Sequence, residues 1–169
     1  MSQEEISQPR MRQLVDWSAA IWAGIIAGAL SLGLSPLLFK AADIFNLLSY
    51  PILGETTVDG LRVSAVLVGI LVHLIASLLF GLLTAFLLHR WGIIIGVFGG
   101  ALLGLALYAI NFYAIPEFLP NLVGEAGLIQ MGWLREDWRM VLMHVLFGAT
   151  AGGIYESLEV EEFVPAYDD

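Results

Sequence analysis

Long runs of apolar residues alternate with short polar segments along this chain. Crossing about 30 Å of hydrocarbon takes roughly 20 apolar helical residues. Four runs reach or approach that length: Trp17–Phe39, Val63–Leu88, Gly92–Ile115 and Arg139–Tyr155. The pattern predicts an all-α integral membrane protein with four transmembrane helices. Its membrane domain would cover residues 17–156, between a polar N-terminal segment, 1–16, and an acidic C-terminal tail, 157–169, that frays in solvent or docks on a basic partner.

Composition agrees with a chain whose main partner is the lipid bilayer. Hydrophobic residues make up 59% of the sequence and charged residues only 14%. The formal net charge of −9 argues against a nucleic-acid partner, and the absence of cysteine excludes thiolate chemistry. No Asp, Glu, Lys or Arg falls in the middle of a predicted span, although pumps and ion-coupled transporters use such residues.

Small residues recur every four positions, and the second and fourth spans share the pattern His-x-x-x-small-x-x-x-Gly, starting at His73 and at His144. The pattern predicts two duplicated helical hairpins packed into a bundle, although such spacing is also common in unrelated membrane helices. Small faces let helices approach closely in lipid. The predicted helix-packing residues are Gly24, Gly28, Gly69, Ser77, Gly81, Gly92, Gly96, Gly100, Gly148 and Gly152, with Gly104 extending the third-span row. These rows would face each other or helices of another subunit.

Two longer connections, Lys40–Arg62 and Pro116–Asp137, lie on the same predicted side and are apolar for loops. They are interpreted either as interfacial helices broken by Pro51 and Pro120, or as segments that cap the bundle. The lysine and arginine residues are almost evenly divided between the two sides of the predicted membrane domain. We expect both termini in the cytoplasm of a bacterium, with the chain in its cytoplasmic-type inner membrane.

His73 and His144 occupy equivalent positions on helices that run in the same direction. One hypothesis is that their imidazoles hold a haem b inside the bundle, which would make the chain an electron carrier. The alternative is that each histidine forms a hydrogen bond across a helix seam to a hydroxyl or a carbonyl group, with Ser77, Thr84, Ser31 and Thr150 among the candidate partners. No other cofactor and no metal site is predicted.

A cluster of polar and aromatic residues closes the third span. Asn111, Tyr113 and Glu117 suit a quinone or lipid-headgroup site at the membrane interface. The alternative is an aromatic belt followed by a helix stop at Pro116.

The run WGIIIGVFGGALLGLALYAINFYAIPEFLP, followed after a loop by MHVLFGATAGGIYESLE, resembles small uncharacterised four-helix bacterial membrane proteins, the YqhR-like and YagU-like groups. The shared features are a Trp-Gly opening of the third span, an aromatic-Pro exit and a Phe-Gly-x-x-x-Gly fourth span. The resemblance implies a four-helix membrane fold but no activity, cofactor or catalytic residue.

No nucleophile–base pair or metal cluster is visible, so we expect a non-catalytic protein rather than an enzyme. The expected role is a structural or accessory subunit whose glycine-rich faces pack against a larger respiratory or photosynthetic membrane complex, or against its own copies. The alternatives are the haem b electron carrier and a small transporter or permeability protein.

Overall fold

A computed structural model describes residues 11–54, 62–160 and 163–165. The helices are α1 Trp17–Leu38, α2 Ala41–Leu53, α3 Val63–Leu88, α4 Gly92–Ala109, α5 Ile115–Phe118, α6 Pro120–Arg135 and α7 Trp138–Leu158. A π-helical turn, Ile110–Ala114, joins α4 to α5. Two short strands, β1 Met11–Gln13 and β2 Phe163–Pro165, pair antiparallel.

In the described part of the chain, four helices are long and apolar enough to cross a membrane, as the sequence predicts. They are Trp17–Leu38, Val63–Leu88, Gly92–Phe118 and Trp138–Leu158. The third continues through the π-helical turn to Phe118, three residues beyond the predicted end at Ile115. Pro116 does not stop this helix: it closely follows the π-helical turn, where the regular α-helical hydrogen-bond pattern is already interrupted.

The fourth long helix, α7, lies at the centre of the bundle. It packs mainly on α4 and α1, with a smaller contact to α3. It is also the least apolar of the four, whereas α3 and α4 are the most apolar and have less of their surface buried. Along α3, the outward row Leu67, Leu71, Ile75, Leu79 and Leu83 is exposed. The most apolar surfaces are therefore those left outside the protein core.

Glycines form the seam between α1 and α3. A Cβ atom at Gly24 would lie 2.5 Å from the Ser77 carbonyl oxygen, and one at Gly81 would lie 2.5 Å from the Ala20 carbonyl oxygen. Neither distance leaves room for a side chain. Gly28 meets the Ser77 side chain in the same seam.

The α4–α7 seam repeats this arrangement. A Cβ at Gly100 would overlap the carbonyl oxygen of Gly148, and one at Gly152 would overlap that of Gly96. Gly104 extends the seam by one turn to the carbonyl group of His144. In both seams the glycines of one helix face main-chain carbonyls of the other, so the partner of these glycine rows is the same chain.

Two predicted packing glycines lie elsewhere. Gly69 faces Phe45 and Leu48 of α2 rather than a long helix. Gly92 has no atom within 4 Å of its missing Cβ, and its φ of 77° instead supplies the left-handed backbone that turns the chain into α4.

The long connections contain helices that pack on the bundle and on each other. On α2, Asn46 and Ser49 are buried, and Gln130 of α6 donates to the Asp43 carbonyl at 2.6 Å. Pro51 lies inside α2, whereas Pro120 opens α6. Gly124 interrupts α6 with a φ of 62°, and the Tyr50 ring fills the place of its missing side chain.

The two ends of the described chain meet on one side of the bundle. Asp16 caps α1 by accepting from the Ala19 N–H at 2.9 Å, and its other oxygen accepts from the Val160 N–H at 3.3 Å. Beyond this contact, β2 pairs with β1. Part of the predicted frayed tail is thus helical, up to Leu158, or paired as a strand; residues 161–162 and 166–169 lie outside the described residues.

On the opposite side, Asp137 and Arg139 fasten the start of α7. Asp137 accepts from the Arg139 N–H at 3.0 Å, and the Arg139 guanidinium binds its carboxylate at 2.5–3.0 Å. The same guanidinium donates to the Leu38 carbonyl at 2.8 Å and lies over the Phe39 ring. The hydrogen bonds from Arg139 hold the pKa of the Asp137 carboxyl below its ordinary value of 3.8.

The α4–α7 seam predicts a steric penalty. Gly100→Ala should lower the free energy of unfolding by about 1–3 kcal/mol, because the added methyl group must separate the two backbones. Gly33→Ala is the matched control: nothing lies within 4 Å of its Cβ position, so a change within about 0.5 kcal/mol is expected. Denaturant unfolding in mild detergent measures the free energy of unfolding of both variants. Equal effects of the two substitutions would contradict the close contact of α4 and α7 at Gly100.

The Asp137–Arg139 pair predicts a pH dependence. Asparagine also caps helices well, so Asp137→Asn removes mainly the charge. Because the folded pKa is lowered, the stabilisation by this carboxylate is complete above pH 3.8 and is lost as the pH falls through the folded value. The difference in unfolding free energy between wild type and variant should therefore shrink below pH 3.8.

The control for this comparison is Glu136→Gln, which removes the exposed neighbouring carboxylate. It should change the free energy of unfolding at pH 7 by no more than about 0.5 kcal/mol. A difference between wild type and Asp137→Asn that does not depend on pH would refute the assignment.

Candidate functional site

His73 forms a hydrogen bond between α3 and α1. Its Nε2 lies 2.9 Å from the Ser31 hydroxyl oxygen, and that hydroxyl donates to the Gly28 carbonyl at 2.9 Å. Since the hydroxyl proton is directed to the carbonyl, Nε2–H is the donor to Ser31. The ring also lies 6.3 Å from that of Phe147 on α7. The histidine therefore connects three of the four long helices.

His144 joins α7 to the π-helical turn. Its Nδ1 lies 2.9 Å from the Met140 carbonyl oxygen, which can only accept, so Nδ1 carries the proton. Its Nε2 then accepts from the Asn111 amide at 3.4 Å. The rings of Tyr108 and Phe112 pack edge-on against the imidazole, with centroids 5.6 and 5.7 Å away.

Both histidines thus use Nε2 to bind a polar side chain of the preceding long helix. This arrangement stabilises helix pairs, and iron ligation through the same atoms would require Ser31 and Asn111 to be displaced. The haem b hypothesis stays a prediction. Within residues 11–54, 62–160 and 163–165, no group of three His, Cys, Asp or Glu side chains could hold a metal ion.

Two of the predicted interfacial residues, Asn111 and Tyr113, lie in the π-helical turn, and Glu117 lies in α5 directly after it. Here the Ile115 N–H reaches back five residues to the Ile110 carbonyl, and the extra residue rotates the helix face. Asn111 turns towards α7 and His144, whereas Tyr113 is 52% exposed on the outside of the bundle. Asn111 therefore lies inside the bundle, whereas Tyr113 lies on its outer surface.

Tyr113 and Glu117 line an open cleft of about 560 Å³ at this end of the bundle. Its other lining residues are Ala109, Ile110, Ala114, Pro116, Phe118 and Arg135. The walls are mostly apolar, and Arg135 and Glu117 place a cation and an anion in the same cleft. Among the described residues, neither of these two side chains forms an ion pair. The cleft therefore offers both charges to a ligand.

Arg135 is held from two directions. Its carbonyl oxygen accepts a hydrogen bond of 2.5 Å from the buried Tyr108 hydroxyl, and its guanidinium lies 5.3 Å from the centroid of the Tyr113 ring. Stacking on an aromatic face leaves the guanidinium N–H groups available around its edge. Tyr108 thus holds the main chain of Arg135, and the guanidinium lies over the Tyr113 ring beside the cleft.

Sequence reasoning identified Tyr113 and Glu117 as interfacial candidates but missed Arg135 as a member of the same site. Arg135 follows Glu117 by more than four helical turns in the sequence. The available signal was that both residues border the Pro116–Asp137 connection, which puts them on the same side of the bundle.

No family model matches the chain, and no curated protein or solved structure is detectably similar to it. The resemblance to YqhR-like and YagU-like proteins therefore stays a prediction.

The histidine contacts predict two independent pairs. In a double-mutant cycle, Ser31→Ala with His73→Phe should show a coupling energy of about 0.6 kcal/mol, the average for hydrogen bonds between membrane helices. Asn111→Ala with His144→Phe should show a similar value. The free energies of unfolding in detergent or bicelles supply the numbers.

The crossed combination is the control for these cycles. Ser31→Ala with His144→Phe joins residues that share no hydrogen bond, so its coupling energy should be close to zero. Zero coupling within both proposed pairs would show that the histidines do not stabilise the bundle in this way.

Proposed function

We propose that this chain is a non-catalytic integral membrane protein that acts as a structural or accessory subunit of a larger membrane assembly. The observation that carries the proposal is that the two histidines inside the long helices are engaged in hydrogen bonds that hold the bundle together. His73 bonds to Ser31, and His144 bonds to Asn111 and to the Met140 carbonyl. Groups engaged in this way stabilise the bundle and are poorly suited to chemistry or transport.

The four long apolar helices support membrane insertion. The outward surface consists largely of leucine, isoleucine and phenylalanine side chains, which suit lipid tails. An even number of spans returns the chain to its starting side, in agreement with the contact between Asp16 and Val160. We place this side in the cytoplasm of a bacterium, where Arg10, Arg12 and Arg90 would also lie.

The matching seams support an origin by duplication of one hairpin. Gly24 meets the Ser77 carbonyl as Gly100 meets that of Gly148, and Gly81 meets the Ala20 carbonyl as Gly152 meets that of Gly96. In both halves a polar residue of the first helix also bonds to a histidine of the second. Each half then carries a connecting helix between its two long helices.

The partner surface differs from the one expected from the sequence, because the glycine rows face helices of their own chain. The outer face of α1 is a better candidate. There Ala29 and Gly33 are exposed four positions apart, and nothing lies within 4 Å of the Gly33 Cβ position. A neighbouring membrane helix could approach closely at this point.

The first test is the mass of the particle extracted from its native membrane in mild detergent, with every co-purifying chain identified. We expect a particle much larger than the 18.4 kDa chain, containing different membrane subunits. Replacing Ala29 and Gly33 together by leucine should release most of the chain from that particle, since the added side chains keep the partner helix away.

Ala106→Leu is the matched control, since it adds the same bulk to an exposed small residue on α4. It should leave the particle intact. If the wild-type chain instead runs alone or only with its own copies, the accessory role is refuted. Release by the control variant as well would reject α1 as the docking face.

A further inference from the structure

We propose that the cleft between the π-helical turn and the end of α6 binds the headgroup of a zwitterionic phospholipid that carries a primary ammonium group, as phosphatidylethanolamine does. The inference depends on membrane insertion but not on the accessory role. The volume of the cleft, about 560 Å³, lies within the usual range for small-molecule sites, about 300–1,000 Å³.

The position of the cleft suits a headgroup. It lies at the end of a helix long enough to span the bilayer, Gly92–Phe118. Tyr113 and Phe118 line it, and Trp133 and Trp138 lie within three residues of Arg135 in the sequence; all four of these aromatic side chains are at least half exposed. Exposed tryptophan and tyrosine at the ends of spanning helices concentrate at the headgroup level.

Charge selects the class of lipid. The guanidinium of Arg135 can bind two phosphate oxygens at once, and the carboxylate of Glu117 can accept from an ammonium group. Because these two side chains do not pair with each other, both ends of a zwitterion find a partner. A second carboxylate, the exposed Glu136, follows Arg135 directly and disfavours an anionic lipid.

The cleft also distinguishes ethanolamine from choline. A primary ammonium group has three N–H donors for Glu117, whereas a quaternary ammonium group has none. Choline sites rely on cages of open aromatic faces, and one face of the Tyr113 ring in this cleft is already occupied by the Arg135 guanidinium. The apolar walls, including Ile110 and Phe118, would contact the upper part of the acyl chains.

The experiment is native mass spectrometry of the full chain in detergent with equal concentrations of phosphatidylethanolamine, phosphatidylcholine and phosphatidylglycerol. We expect ethanolamine lipid to be retained about 3- to 10-fold more than either competitor, the ratio that one hydrogen bond of ordinary net strength supplies. Arg135→Gln should lower its retention by about 10-fold, with Arg135→Lys in between because lysine loses the bidentate contact. Glu117→Gln should abolish the preference over choline lipid.

The matched controls are Lys40→Gln and Glu125→Gln, which remove an exposed cation and an exposed carboxylate from the same side of the bundle. Both should keep the wild-type preference, and circular dichroism establishes that each variant is folded. Equal retention of the three lipids, a preference for the anionic lipid, or displacement of lipid by inorganic phosphate would each overturn the proposal. None of these readouts depends on the mass of the native particle, so the two proposals fail separately.

Discussion

The close approach of glycine backbones is the constraint on which the rest of this structure depends. In a bilayer, burying a leucine against another helix gains little, because lipid tails are equally apolar. Helices gain instead from close packing and from contacts between main-chain Cα–H groups and carbonyls. Gly100 and Gly148, like Gly24 and Gly81, leave no room for a side chain between their helices. The glycine positions therefore decide which helices pair, at what depth, and which one, α7, becomes central.

The α4–α7 seam also sets the surroundings of His144. Gly104 lies against the main chain of His144, so the next turns of α4 pass directly beside the imidazole ring. Tyr108 and Phe112 pack against that ring, and Asn111 reaches its Nε2. An uninterrupted α-helix changes its facing by 100° per residue, whereas the π-helical turn inserts one extra residue at this point. The turn therefore shifts the facing of the residues that follow it, such as Glu117, whereas Asn111 and Tyr113 are two residues apart and would face opposite sides on an α-helix as well.

The sequence predicted the features that depend on composition and spacing along one helix. Apolar length located the four long helices, and the four-residue spacing selected Gly24, Gly81, Gly100 and Gly148, which all lie in the two seams. The sequence-based prediction failed where the contacts of a residue depend on a segment that is distant along the chain. Gly69 has the spacing of a seam glycine but contacts α2. Gly92 has the same four-residue spacing as Gly96 and Gly100, but its role is to adopt a positive φ at the start of α4. The choice of Ser31 as partner of His73, and the entry of Arg135 into the cleft, need three-dimensional placement that no local pattern contains.

Tyr108 connects the α4–α7 seam to the cleft, because it contacts residues of both. Its ring packs on His144 and Phe112 inside the bundle, and its hydroxyl holds the main chain of Arg135 at the surface. The hydrogen bond from Tyr108 thus links the seam to the main chain at the end of α6, from which the Arg135 side chain projects. Positioning the guanidinium over Tyr113 before any ligand arrives lowers the entropy lost on binding. His73 and His144 are engaged in packing inside the bundle, whereas Arg135 and Glu117 line an open cleft at its end, where their charges are available to a partner.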